Sequence, residues 1–90
     1  MSRGDRTRSV DMRATDKERE WGAKASRYIK AELKRANVGY KELARRLNNH
    51  GFHESETSIT GKLARRSFAA SFFLACLAVL ERGELRLEDL

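Results

Sequence analysis

The chain is predicted to be all-α, a compact bundle of four to five helices behind a flexible N-terminal arm. Three observations point that way. No stretch alternates apolar and polar residues with the period of two that a half-buried strand needs. Proline is absent, so nothing in the chain forces a helix to break. From Asp16 onward, apolar residues recur at the spacing of three and four that lines one helix face. Ninety residues suffice for one small domain.

Residues 1–16 are polar, Arg-rich and aperiodic, and they read as the arm. Arg3, Arg6, Arg8 and Arg13 would suit a nucleic-acid groove, whereas Asp5, Asp11 and Asp16 oppose that use. Residues 17–90 form the domain. Its first helix runs from about Asp16, the expected N-cap, to Ala36. Trp21, Ala25, Tyr28, Ile29, Leu33 and Ala36 define its apolar face. Lys24, Arg27, Lys30 and Lys34 form a basic stripe on the other side.

After the break Asn37-Val38-Gly39, a second helix covers residues 40–49. Gly39 is its N-cap, Glu42 sits at the third helical position, and Leu43, Ala44 and Leu47 form its buried edge. Lys41, Arg45 and Arg46 point away from that edge. "NNHGFHES" is a turn, with Gly51 past the helix end and Phe52 plugging the core. The third helix covers residues 55–66, starts at Ser55, and is held by Ile59 and Leu63. Gly61 in its middle either lets the backbone approach a partner or allows close helix packing. The fourth helix follows "RRSF" and is capped by Ser67 or Ser71. Phe68, Phe72, Phe73, Leu74, Cys76, Leu77, Val79 and Leu80 surround it, a pattern that asks for a central position or a second chain. Glu81-Arg82-Gly83 ends it, and "LRLEDL" forms a final turn.

The net charge is +6, which favours an anionic partner. The excess is local: residues 21–50 carry eight Lys/Arg against two Asp/Glu, and residues 67–90 carry two against four. The single cysteine allows no internal disulfide, the start lacks a secretory h-region, and the longest apolar run is too short for a bilayer. A cytoplasmic protein with no membrane contact is expected. His50, His53 and Glu54 lack further metal ligands. Cys76 lies in an apolar run and reads as a buried hydrophobe. The glycines are scattered, so there is no phosphate loop. With no catalytic constellation, the expectation is no enzyme and no cofactor.

The order "VGYKELARRL", a turn, "ETSITGKLARRSF" and an apolar helix resembles the lambda-repressor-like (Cro-type) helix-turn-helix family. Glu42-Leu43-Ala44 matches the opening element, Ile59 the buried position of the recognition helix, and Arg65-Arg66-Ser67 the exit. The chain is also similar to a small uncharacterised proteobacterial family. The resemblance implies a small DNA-binding transcriptional regulator, and the apolar cover of the fourth helix implies a homodimer through that helix and the C-terminus. Lys41, Arg45, Arg46, Arg65 and Arg66 would grip phosphates, and Ser55, Thr57, Ser58, Thr60 and Lys62 would approach base edges. Fifteen residues separate Ala44 from Ile59, more than that family usually shows, so either the turn is long or the second helix runs on. The alternative is a helix-turn-helix-derived module, anti-activator or antitoxin-like, that holds a regulatory protein. A weaker third reading, RNA association, lacks an aromatic stacking platform.

Overall fold

The computed structural model describes residues 15–90, so the expected arm lies outside the described residues except for its last two. The helices are α1 (Asp16–Ala36), α2 (Tyr40–Asn49), α3 (Glu56–Arg65) and α4 (Ala70–Val79), followed by a 3-10 turn, Leu87–Asp89. No strand occurs among the described residues. No helix among them is long and apolar enough to cross a membrane.

The start of α1 is one residue earlier than predicted. Thr15, not Asp16, is the N-cap: its hydroxyl accepts from the Glu18 N–H at 3.0 Å, and the Glu18 carboxylate accepts from the Thr15 N–H at 2.6 Å. This reciprocal pair satisfies two amides that a helix start leaves orphaned. At the other end Asn37 turns left-handed, φ 58°, and the N–H of buried Val38 reaches back to the Leu33 carbonyl at 2.9 Å. Asparagine tolerates that conformation better than most residues.

The core gathers Ile29 and Leu33 of α1, Leu43, Ala44 and Leu47 of α2, Ile59 and Leu63 of α3, and Phe72, Cys76 and Val79 of α4. Helix α2 packs on both α3 and α4, and α1 lies against α4. Two expected members of the α1 face are absent from it. Trp21 is 51% exposed and Ala36 is also exposed. Ser26 and Glu32 are buried instead. Phe52 is half-buried rather than a plug.

In α4, neither serine caps the helix. Ala69 is the N-cap and supplies no side-chain bond. Nor is the helix covered all round. Phe72, Cys76, Leu77 and Val79 face the core, Phe73 and Leu80 are half-buried, and Leu74 is left 61% exposed between exposed Ala70 and Ala78. The apolar surplus read from the sequence therefore shrinks to one leucine and two alanines, because one chain buries most of the aromatic side.

Two helix ends are closed by side chains from other helices. The last carbonyls of a helix have no intrahelical donor. The Ser26 hydroxyl of α1 donates to the Leu63 carbonyl of α3 at 2.8 Å, and the Arg46 guanidinium of α2 donates to the Val79 carbonyl of α4 at 3.0 Å. One turn before Ser26, Gly22 lies against the Arg66 carbonyl so closely that a Cβ there would sit 2.2 Å from the oxygen. Gly22 and Ser26 thus make a notch on α1 that receives the end of α3.

Candidate nucleic-acid interface

Helices α2 and α3 stand on either side of a six-residue turn, residues 50–55, so the long spacing is absorbed by the turn and α2 does not run on. Gly51 makes the reversal at φ +92°, past the end of α2. The Asn48 amide then clamps the turn: its Nδ2 donates to the Glu54 carbonyl at 2.9 Å, and its Oδ1 accepts from the Glu54 N–H at 2.7 Å.

Helix α3 is capped by Ser55, as expected, but with a second serine in the cap. The Ser55 hydroxyl accepts from the Ser58 N–H at 3.0 Å, and the Ser58 hydroxyl accepts from the Ser55 N–H at 2.8 Å and donates to Glu54 at 2.6 Å. Two of the four hydroxyls assigned to base edges, those of Ser55 and Ser58, are thus engaged in folding the helix start. Lys62, expected to face solvent, turns inward. It is paired with Glu54, whose side chain is only 5% exposed, and its Nζ lies 4.7 Å from the centre of the Phe72 ring. The cause is electrostatic: a nearly buried carboxylate requires a cation or donors beside it. Lys62→Ala is therefore expected to destabilise, contrary to the solvent-facing expectation.

On α2, Glu42 occupies the predicted third position but does not reach back to the cap. It accepts two bonds from Arg45, at 2.8 and 2.6 Å, and one from Arg46 at 2.9 Å. Arg46, half-buried and bonded to Val79, is a tie between α2 and α4, while Arg45 stays exposed beside Glu42. Lys41, Thr57, Thr60, Arg65 and Arg66 are exposed. Thr60 donates back to the Glu56 carbonyl at 2.8 Å. Lys41, Thr57 and Arg66 have no polar side-chain partner among the described residues. Arg65 folds over Gly61, where a Cβ would meet its guanidinium at 3.1 Å. The helix-packing expectation for Gly61 does not account for that setting, since its neighbour is a flexible side chain and not a packed helix.

A family described as a domain of unknown function, DUF6471, matches residues 21–85. The chain belongs to the DUF6471 family. No curated protein matches it, and no solved structure does.

In this DUF6471 domain the sequence reading missed Ser26, Glu32, Glu54 and Gly22. The first three are polar residues whose burial depends on distant partners, so no local pattern marks them. Gly22 did carry a signal, because a glycine inside a helical pattern usually has a packing reason. Cys76 is fully buried, and burial pushes its thiol up to about 12, with the Glu54 carboxylate adding to the shift. No group of three or more potential metal ligands occurs among the described residues.

The Glu42 cluster predicts a pH dependence. Hydrogen bonds from Arg45 and then Arg46 hold its carboxyl down from the ordinary 4.5 to about 2. A depressed folded-state pKa contributes stability that is present above the unfolded value and lost as pH falls through the folded one. Glu42→Gln should therefore melt below wild type at neutral pH, and the gap should close between pH 4.5 and 2. Circular-dichroism melts across that range check this. A gap that persists unchanged at the acid end would show that the carboxylate's charge is not what stabilises the cluster.

Proposed function

We propose that this DUF6471 protein is a small cytoplasmic DNA-binding regulator, a binding protein without catalysis, with α2 and α3 as a helix-turn-helix of the lambda-repressor-like kind. One observation carries the reading. Helix α3 is anchored by Ile59 and Leu63 alone, and it leaves Thr57 and Thr60 outward beside Arg65 and Arg66. A recognition helix needs that division between a thin buried edge and a free polar face. On α2 and α3, Lys41, Arg65 and Arg66 are exposed cations with no polar side-chain partner among the described residues, and they would meet phosphates.

Selection from randomised DNA at moderate salt is the test. An enriched motif is expected. Thr57→Ala with Thr60→Ala should weaken binding to it by about 1–3 kcal/mol per lost base contact while leaving the fold intact. Lys41→Ala or Arg66→Ala should weaken specific and non-specific DNA alike and reduce the salt slope by about one. Undiminished specific binding by the folded threonine double variant would remove α3 from the reading. No binding at low salt would remove DNA.

A specific observation favours a second reading, a module that holds a regulatory protein. The charges of Arg45, Arg46 and Lys62 are matched inside the chain by Glu42 and Glu54, which lowers the positive field of the α2–α3 surface. In that case DNA binding is weak throughout and indifferent to Thr57 and Thr60.

The proposal includes a homodimer through α4 and the C-terminal segment, where Leu74 and Leu87 are the exposed large apolar residues. A two-fold interface would place two half-sites about one DNA turn, ~34 Å, apart. Sedimentation should give a dimer that Leu74→Glu converts to monomer. A monomer at tens of micromolar, with and without DNA, would end this part of the proposal.

A further inference from the structure

A second basic surface lies away from α3, in an open groove of about 730 Å³ between α1 and the C-terminal segment. Its position follows from the helix wheel. Helix α3 meets α1 at Gly22 and Ser26, whereas Ala31, in the floor of the groove, is roughly 140° further around α1.

The groove is built for negative charge. Lys24, Arg27, Lys30, Arg35 and Arg82 line it, against one acidic side chain, Asp89. Arg27 and Lys30 are exposed and have no polar side-chain partner among the described residues. Lys24 lies over the Trp21 ring at 4.5 Å and pairs with no carboxylate. Arg35 and Arg82 both face buried Glu32, Arg82 at 3.6 Å, and Asp89 also acts on Arg82, so the uncompensated charge of the groove is that of Lys24, Arg27 and Lys30. Arg82 is fixed further by a 3.2 Å hydrogen bond to the Tyr28 hydroxyl, which ties the end of α4 to α1.

The floor distinguishes between anionic partners. Ala31 and Leu90 give the groove an apolar base among the cations. A phosphate backbone has no use for that base. Nor is a ring offered for base stacking, since the aromatic residue in the lining, Tyr28, is 6% exposed. An acidic peptide with apolar side chains uses both features, because guanidinium forks match carboxylates and the floor accepts an aliphatic chain. The chain's own Asp89 and Leu90 already lie along this edge with that chemistry.

We propose that the groove binds an acidic, leucine-bearing peptide segment of a partner protein. Fluorescence anisotropy on the full chain tests it. The probes are a fluorescein-labelled peptide of alternating Glu and Leu, its Gln/Leu counterpart, and a labelled DNA duplex. The Glu peptide should bind and the Gln peptide should bind far more weakly. Arg27→Glu with Lys30→Glu, both surface changes, should weaken the Glu peptide about tenfold or more. The same double variant should keep the wild-type circular dichroism, and Arg65→Glu should leave peptide binding unchanged. Equal binding of the two peptides, or indifference to the charge reversal, overturns the proposal. A double variant that loses duplex binding but keeps the peptide also overturns it, and makes the groove a nucleic-acid surface. Because Arg27 and Lys30 lie outside the α2–α3 surface, these results stand apart from the DNA test above.

Discussion

Leu63→Ala is expected to destabilise the domain by about 2–5 kcal/mol, because a buried leucine loses its packing and leaves a cavity. Leu63 is 1% exposed and shares the core with Ile29, Leu43, Leu47, Ile59 and Phe72. The upper part of that range is expected here for a local reason. Helix α3 has only Ile59 and Leu63 in the core, so removing one halves its apolar attachment. The Leu63 carbonyl also accepts the buried Ser26 hydroxyl bond, whose geometry depends on α3 staying seated. In a domain of this size each kcal/mol moves the melting midpoint by about 4–8 °C. Urea melts of wild type and variant should show the loss as a lower midpoint at similar slope. A loss under about 1 kcal/mol would mean that α3 is not held by this residue.

The second large effect is expected at Gly22→Ala, where two opposing terms can be compared. Alanine is the better helix former by about 0.5–1 kcal/mol, so by propensity alone the variant gains stability. Against this, the new Cβ would sit 2.2 Å from the Arg66 carbonyl oxygen, a backbone atom that no side-chain rotation can move away. Relief requires α1 and the end of α3 to separate. Such overpacking costs about 1–3 kcal/mol. The separation also pulls on the Ser26–Leu63 bond one turn along, and an unmet buried carbonyl costs about 1–3 kcal/mol more. The clash wins, and the net loss is expected at about 2–4 kcal/mol. A variant that melts at or above wild type would contradict the close crossing of α1 over α3. Gly61→Ala is the internal contrast. It meets only the flexible end of Arg65, so there the propensity gain should prevail.

Much of this arrangement is written locally in the chain. The extents of α2 and α3, the buried pair Ile59 and Leu63, the edge Leu43-Ala44-Leu47, the Ser55 cap and the reversal at Gly51 all follow from apolar period and capping chemistry. These depend on residues within a turn of one another. The candidate interface was legible only as a set of residue types. Thr57, Thr60, Lys41, Arg65 and Arg66 stay outward as read. Ser55, Ser58, Arg46 and Lys62 are also polar and also lie on α2 or α3, yet each is engaged in holding the fold.

What the sequence by itself determined, then, is where the helices lie and which apolar faces α2 and α3 present, since the 3.6-residue period fixes both from neighbours alone. What only the tertiary structure decided is the fate of the polar and small residues. Lys62 is eight positions from Glu54, Arg46 is thirty-three from Val79, and Ser26 is thirty-seven from Leu63. A serine, lysine or glycine has the same local signature on a solvent face as in a crossing. Its role is set by the unmet carbonyl, buried carboxylate or passing backbone that packing brings beside it, and that neighbour is not written in the adjacent sequence.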